Sequence, residues 1–473
     1  MEAVQKIKAK IEENWEEELT TLRELIAIKS VEGPATEACP FGEGVQEAFS
    51  YVMEKGREWG FSGFNADNYG GHLDYGREAA EEVMGIVCHL DVVPEGNGWT
   101  YPPFGGEVQD GRMYGRGTND DKGPTVAALY AMKAIRDAGI LPNKKVRLIL
   151  GLDEETNWAG MDYYLSKAGL PDFGFTPDSD FPAVNGEMGI LVFDLAKKFS
   201  KGNGQGLVLK SFVGGSAPNM VADYARVVIN GKNPGIYEGI KTKVASLREL
   251  KQMQITAKAV GKSLEVVVKG VSAHGARPES GENAISLMMA FLGELTFGAE
   301  DVNEFIEFYN RHIGMELNGA SLGCRLADLP SGETILNVGQ IELNEQVARL
   351  TINVRYPVTC NEEQVYGGME EVCRKYNLGI VKHKHQAPVY LPQEDEMIKT
   401  LMDIYRQHTG DEQSEPLVIG GGTYARAFNR VVAFGIRFPS EEECAHQKDE
   451  WINLENLKKI TEIYADTIYQ LTK

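Results

Sequence analysis

The sequence predicts an α/β fold: a mixed, mostly parallel sheet flanked by helices, interrupted by an inserted α+β segment. Three observations predict it. The run Val83 to Val93 (VMGIVCHLDVV) is short, apolar and rich in β-branched residues, the pattern of a strand buried on both faces. A helical stretch at 124–138 (PTVAALYAMKAIRDA) and a second strand-like run at 145–152 (KVRLILGL) follow it, the spacing of a βαβ unit. From about 397 the helical pattern returns, and the middle third reads as an insertion between two halves of one domain.

The elements follow in order. Residues 2–29 place Ile7, Ile11, Trp15, Leu19, Leu22 and Ile26 on one stripe, which predicts an amphipathic helix. Pro124 suits the first turn of the next helix, where its missing N–H costs nothing. The stretch 199–206 (FSKGNGQG) reads as a Gly-rich turn. The runs 264–269 (LEVVVK) and 349–356 (RLTINVRY) alternate, as half-exposed strands do. Residues 397–410 (MIKTLMDIYRQHTG) and 451–472 read as helices, the second closing the chain.

Composition narrows the function. The 473 residues carry a net charge of −21, which repels nucleic acid and anionic membranes. Neither is an expected partner. The acidic excess suits a site that concentrates carboxylates around a cation. The six cysteines are scattered without a C-x-x-C pair and read as reduced thiols. The first residues, MEAVQKIKAKIEENWEEEL, form no apolar signal core, and no apolar stretch reaches the ~18–20 residues of a membrane span. A cytoplasmic protein is expected.

Five clusters carry chemistry. His89 and Asp91 lie two apart at a strand end, so alternation points them the same way. A metal-ligating His needs its second ring nitrogen fixed by an acceptor, and a nearby carboxylate supplies one. The segment 115–123 (GRGTNDDKG) brings Asp120 and Asp121 together in a loop; adjacent carboxylates repel unless a cation holds them. A plain helix-capping turn is the competing account there. Asp153-Glu154-Glu155 follows the strand 145–152, and its carboxylates point in different directions. Pro177-Asp178 and the late His446 complete the series. Taken singly, each is a surface or structural feature. His383 and His385 alternate with lysines and read as one exposed strand face.

In this order (HLD, GRGxxDDKG, DEE, PD, late His) the clusters resemble the zinc-dependent aminoacylase and carboxypeptidase family of co-catalytic metallopeptidases. The resemblance spans nearly the whole chain. The motifs APNMVAD (217–223), SAHGARPE (272–279), NVRYP (353–357) and GGGTYARAF (420–428) narrow it toward the bacterial dipeptidases of that family. Ala222 departs from the pattern, where Pro is expected. The resemblance implies a discontinuous catalytic domain, 1–188 with 388–473, and an inserted α+β lid domain, 189–387. It implies two Zn2+ per chain, with Mn2+ or Co2+ as alternatives. His89 and Asp178 would hold one, Glu155 and His446 the other, and Asp120 would bridge them. A cis peptide would follow Asp120. Asp91 would orient the His89 ring, Glu154 would move the proton, and His274 of the inserted segment would stabilise the oxyanion.

Substrate roles come by the same route. Asn219 and Arg355 would reach the substrate carboxylate, Arg355 with two parallel hydrogen bonds. Gly421, Gly422 and Thr423 would offer backbone N–H groups. The resemblance leaves Asp121 without an assigned role. The expected activity is hydrolysis of dipeptides with free termini, by a monomer. The alternative within the family is a deacylase of N-acyl amino acids, such as succinyl-diaminopimelate. The alternative outside it is a binding protein that keeps the metal without activity, which loss of Glu154 or His274 would mark; both are present.

Overall fold

The computed structural model describes residues 2–200, 206–231 and 235–473. Most of the predicted turn at 199–206 therefore lies outside the described residues. The chain divides into two compact units. The first comprises 1–186, 391–417 and 422–473; the second comprises 187–390 and 418–421.

The first unit is built on a mixed sheet. Its strands lie in the order Ser62–Asn65, Gly71–Tyr75, Lys145–Gly151, Val83–His89, Phe173–Thr176, Val431–Phe434, Ala183–Glu187. The middle four run parallel, with Val83 opposite Lys145, Met84 opposite Phe173, and Val431 opposite Gly174. The flanking pairs are antiparallel. Apolar runs without alternation suit central strands covered on both faces, and Met84, Ile86, Val87 and Cys88 are all fully buried. The helix Lys122–Asp137 is buried from Lys122 through Ile135, which explains its nearly unbroken apolar sequence. It packs against the first helix, Glu2–Ala27, and the last, Leu454–Thr472. The last helix begins later than its periodicity suggests, because Trp451–Asn453 pairs with Arg112–Tyr114 as a short strand. Asn453 then caps the helix through the Asn456 N–H.

The predicted stripe of the first helix faces the core: Ile7, Ile11, Leu22 and Ile26 are buried, and Trp15 and Leu19 pack at its margin. One residue escapes the pattern. Glu18 is fully buried, with Thr461 Oγ1 donating to one oxygen at 2.6 Å and no partner on the other.

The second unit is an eight-stranded antiparallel sheet. Its order is Gln254–Val260, Ser263–Lys269, Tyr224–Gly231, Leu207–Gly214, Ile335–Asn344, Val347–Tyr356, Gly189–Lys198, Gly379–Gln386. The alternation read at 264–269 is that of a half-covered strand: Leu264, Val266 and Val268 face a core shared with the helices Ile236–Lys251, Ala284–Leu292, Glu300–His312 and Glu362–Lys375. His383 and His385 sit on the edge strand Gly379–Gln386, exposed, against Asp194 at 2.9 Å and the Tyr356 hydroxyl at 2.8 Å.

Candidate metal centre

The parallel strands of the first unit deliver their C-terminal ends to one place. His89 ends Val83–His89, Glu154 and Glu155 follow Lys145–Gly151, and Asp178 follows Phe173–Thr176. This is the edge at which open α/β sheets gather functional side chains. Two further loops join them, carrying Asp120 and His446.

His89 is buried and its two ring nitrogens face different partners. Nε2 lies 2.9 Å from Asp120 Oδ1 and 3.9 Å from Asp178 Oδ2. Nδ1 lies 3.0 Å from the Asp91 backbone carbonyl and 3.5 Å from its carboxylate. The acceptor that fixes the ring is thus first the Asp91 main chain. The buried Asp91 carboxylate accepts instead from the N–H groups of Glu154 at 3.1 Å and Glu155 at 3.0 Å, tying the His89 turn to the acidic turn. His446 Nε2 lies 2.8 Å from Asp120 Oδ2 and 2.9 Å from Glu155 Oε1. Asp120 therefore turns one oxygen to each imidazole. The Asp120–Asp121 peptide is cis.

Four carboxylates and two imidazoles share this space. Donor atoms of His89, Glu154 and Asp178 lie within 4.8 Å of one another, and so do those of His89, Asp120 and Glu155. Carboxylates this close repel, and burial raises the cost of their charge. Burial first, and then repulsion from Asp120, push Asp178 up to about 7. Burial and Asp178 push Glu154 well above the usual carboxylate range. The His446 side chain is 53% exposed; its partial desolvation opposes the charge, but the bonds to Asp120 and Glu155 outweigh it and raise the ring to about 11. A divalent cation, or a pair of them, would supply the compensating charge in place of protons. Nitrogen and oxygen donors of this kind suit zinc, manganese or cobalt. The residues present fit such a centre.

Neighbouring groups hold the donors in place. Asp180 accepts a two-pronged Arg437 guanidinium at 2.7 Å on each oxygen, fixing the turn that carries Asp178. Asp153 accepts the Gly160 N–H at 3.2 Å and the Tyr424 hydroxyl at 3.3 Å, turned away from Glu154 and Glu155. Asp121 accepts the His89 N–H at 3.1 Å, which gives it a place under the strand end. Sequence reasoning missed Glu450, which is fully buried and accepts from the 116–120 loop. In the acidic run around it nothing distinguishes Glu450 from surface glutamates.

The second unit brings two of the remaining residues together. Met220 pairs with His274, Gly275 N–H donates to the Asn219 carbonyl at 2.7 Å, and Val221 N–H donates to Ala273 at 2.9 Å. The buried Asn337 amide holds the Asn219 loop by donating to Pro218 and Met220. Asn337 stands opposite Asn353, whose side chain accepts from Arg355 Nε at 3.1 Å. Gly421 belongs to this unit, whereas Gly422 and Thr423 belong to the first, where Thr423 caps the turn Tyr424–Ala427.

Comparison with known proteins gives a consistent family. Residues 85–470 match Peptidase family M20/M25/M40. The chain is 37% identical over 474 residues to a Bacillus subtilis (strain 168) protein named "Putative dipeptidase YtjP", covering 97% of this chain and all of that one. It is 35% identical over 468 residues to the "Beta-Ala-Xaa dipeptidase" of Lactobacillus delbrueckii subsp. lactis, covering 96% of each. Human carnosine dipeptidase 1 shares the fold at a TM-score of 0.57 and 17% identity, over 99% of this chain and 98% of that one. With a family match over most of its length and full-length relatives above 30% identity, the chain belongs to the metal-dependent peptidase family M20/M25/M40.

Proposed function

We propose that the chain is a dipeptidase working with two zinc ions, cleaving dipeptides that carry free amino and carboxyl ends. The observation that carries the reading is Asp120, with one oxygen toward His89 and the other toward His446. That arrangement suits a carboxylate shared between two cations. His89 and Asp178 would hold one, Glu155 and His446 the other. Full-length similarity to proteins named as dipeptidases supports the substrate class. When bound, such a pair polarises a carbonyl and lowers the pKa of water.

The chain's own residues do the rest. Asp91 holds the His89 ring through its carbonyl and the Glu154–Glu155 backbone through its carboxylate, so base and ligands keep one spacing. Glu154 takes a proton from the attacking water and later gives it to the departing amine, so one carboxylate is acid and base in turn. His274 donates to the developing oxyanion. Arg355, Asn219 and the backbone of Gly421, Gly422 and Thr423 take the substrate carboxylate, where a planar guanidinium forms two parallel bonds. The second unit is assigned the part of a lid domain, the protein acts as a monomer, and its place is the cytoplasm.

Turnover of a dipeptide, a tripeptide, an N-acetylated dipeptide and succinyl-diaminopimelate tests the reading, each with zinc and after chelation. Zinc-dependent cleavage confined to the free dipeptide is expected. Preference for either acylated compound would move the chain to the deacylases, and activity that survives chelation would end the metal assignment.

A further inference from the structure

Glu450 has no part in the chemistry above, yet it is fully buried and lies four residues after His446. Its two oxygens have separate work. Oε2 accepts Arg116 Nη1 at 2.5 Å. Oε1 accepts three backbone N–H groups of one loop: Gly117 at 3.1 Å, Asn119 at 2.8 Å and Asp120 at 3.2 Å. Around it the main chain is stapled as well. Gly115 N–H donates to the Glu450 carbonyl at 2.9 Å, and Asp449 accepts Thr100 N–H at 2.6 Å and its hydroxyl at 2.9 Å.

A buried ion pair between Arg116 and Glu450 is the plain structural account. Such pairs add little net stability over apolar packing, because desolvation cancels most of the attraction. That account also leaves Oε1 unexplained, since Arg116 uses only Oε2. The three N–H groups on Oε1 point inward from the loop whose last member, Asp120, faces both imidazoles. Converging donors on one charged acceptor fix a backbone more firmly than neutral turns do.

We propose that Glu450 is the positioning residue of the metal centre, setting the distance between Asp120 and His446. Its carboxylate locks the 117–120 backbone, and its place in the chain locks the turn that carries His446. The inference rests on the two-metal reading of those residues. Groups that orient metal ligands without touching the metal typically cost 10–100-fold in metal affinity when replaced.

Zinc affinity of the full chain, by competition with a chromophoric chelator, and the visible spectrum of the cobalt-loaded protein test it. Glu450→Gln keeps the shape but must present an amide N–H2 to Arg116 or to the loop. It is expected to weaken zinc binding roughly 10–100-fold and to shift the cobalt bands. Glu450→Asp keeps the charge and should restore part of both. In metal-free protein, the amides of Gly117, Asn119 and Asp120 should exchange faster in Glu450→Gln. Ile468→Ala, a cavity in the buried face of the last helix, controls for lost stability and should leave affinity and spectrum alone. Wild-type zinc affinity and an unchanged cobalt spectrum in Glu450→Gln, whatever its Tm, would overturn the proposal while leaving the metal reading standing. If the wild-type chain binds neither zinc nor cobalt, the two-metal reading fails first and this inference falls with it.

Discussion

At the scale of the residue, Glu154 separates proton transfer from metal binding. Its backbone N–H is held by Asp91, and its side chain lies beside His89 and Asp178. Glu154→Ala should cut kcat by at least ~10²-fold, the low end for a positioned acid–base group. It should keep both metals in elemental analysis. Near-normal kcat would remove Glu154 from the role. His274→Ala should lower kcat by roughly 10²–10³-fold, the cost of an oxyanion donor. A rise in KM with kcat intact would make His274 a ground-state binding group instead. Much at this scale was legible in the sequence, because His89, Asp120, Glu155 and Asp178 stand in motifs with fixed neighbours. What hydrogen bonds do was not. The pairing of Asp91 with two backbone N–H groups and the grip of Glu450 on a loop over 300 residues away in sequence depend on the folded chain.

At the scale of the element, the first helix carries a testable oddity. Apolar periodicity places Ile7, Ile11, Leu22 and Ile26 correctly, but a charged residue on the buried face is invisible to it. Glu18 fits there because Thr461 of the last helix reaches one oxygen. Burial pushes its carboxyl from 4.5 up to about 8, so near neutral pH it is held as the acid. The sign follows. Below about pH 4.5 both folded and unfolded chains keep this proton. Between there and about pH 8 only the unfolded chain releases it, so rising pH favours unfolding. The loss accumulates to a few kcal/mol on an order-of-magnitude estimate. Glu18→Gln should therefore remove a downward slope in stability across that window and exceed the wild type in denaturant midpoint at pH 8.5. Equal midpoints for the two proteins from pH 5 to 8.5 would show that the carboxyl is not held as the acid. The closing helix has the same lesson in milder form: its apolar pattern runs back to 451, yet sheet pairing claims Trp451–Asn453 first.

At the scale of the molecule, the sequence carried the α/β class through its βαβ spacing, and the central parallel strands follow from it. Strand order was not legible, since local pattern does not say that Lys145–Gly151 pairs between Gly71–Tyr75 and Val83–His89. Among the described residues each unit has its own buried core, that of the first in two clusters, and every residue assigned to the metals lies in the first unit. A ligand that binds only folded protein stabilises the part that binds it, by about 2.7 kcal/mol at a hundred times its dissociation constant. Cations should also displace the protons that Asp178 and Glu154 hold without them, so binding should release protons and weaken as pH falls. Calorimetric unfolding with zinc and with a chelator, at pH 6 and pH 8, joins these points. Zinc should raise the transition of the first unit, more at pH 8 than at pH 6, and leave that of the second where it was. Titration in buffers of different ionisation enthalpy should count the released protons. A zinc shift as large at pH 6 as at pH 8, with no proton release, would mean that the cation binds elsewhere than among these carboxylates.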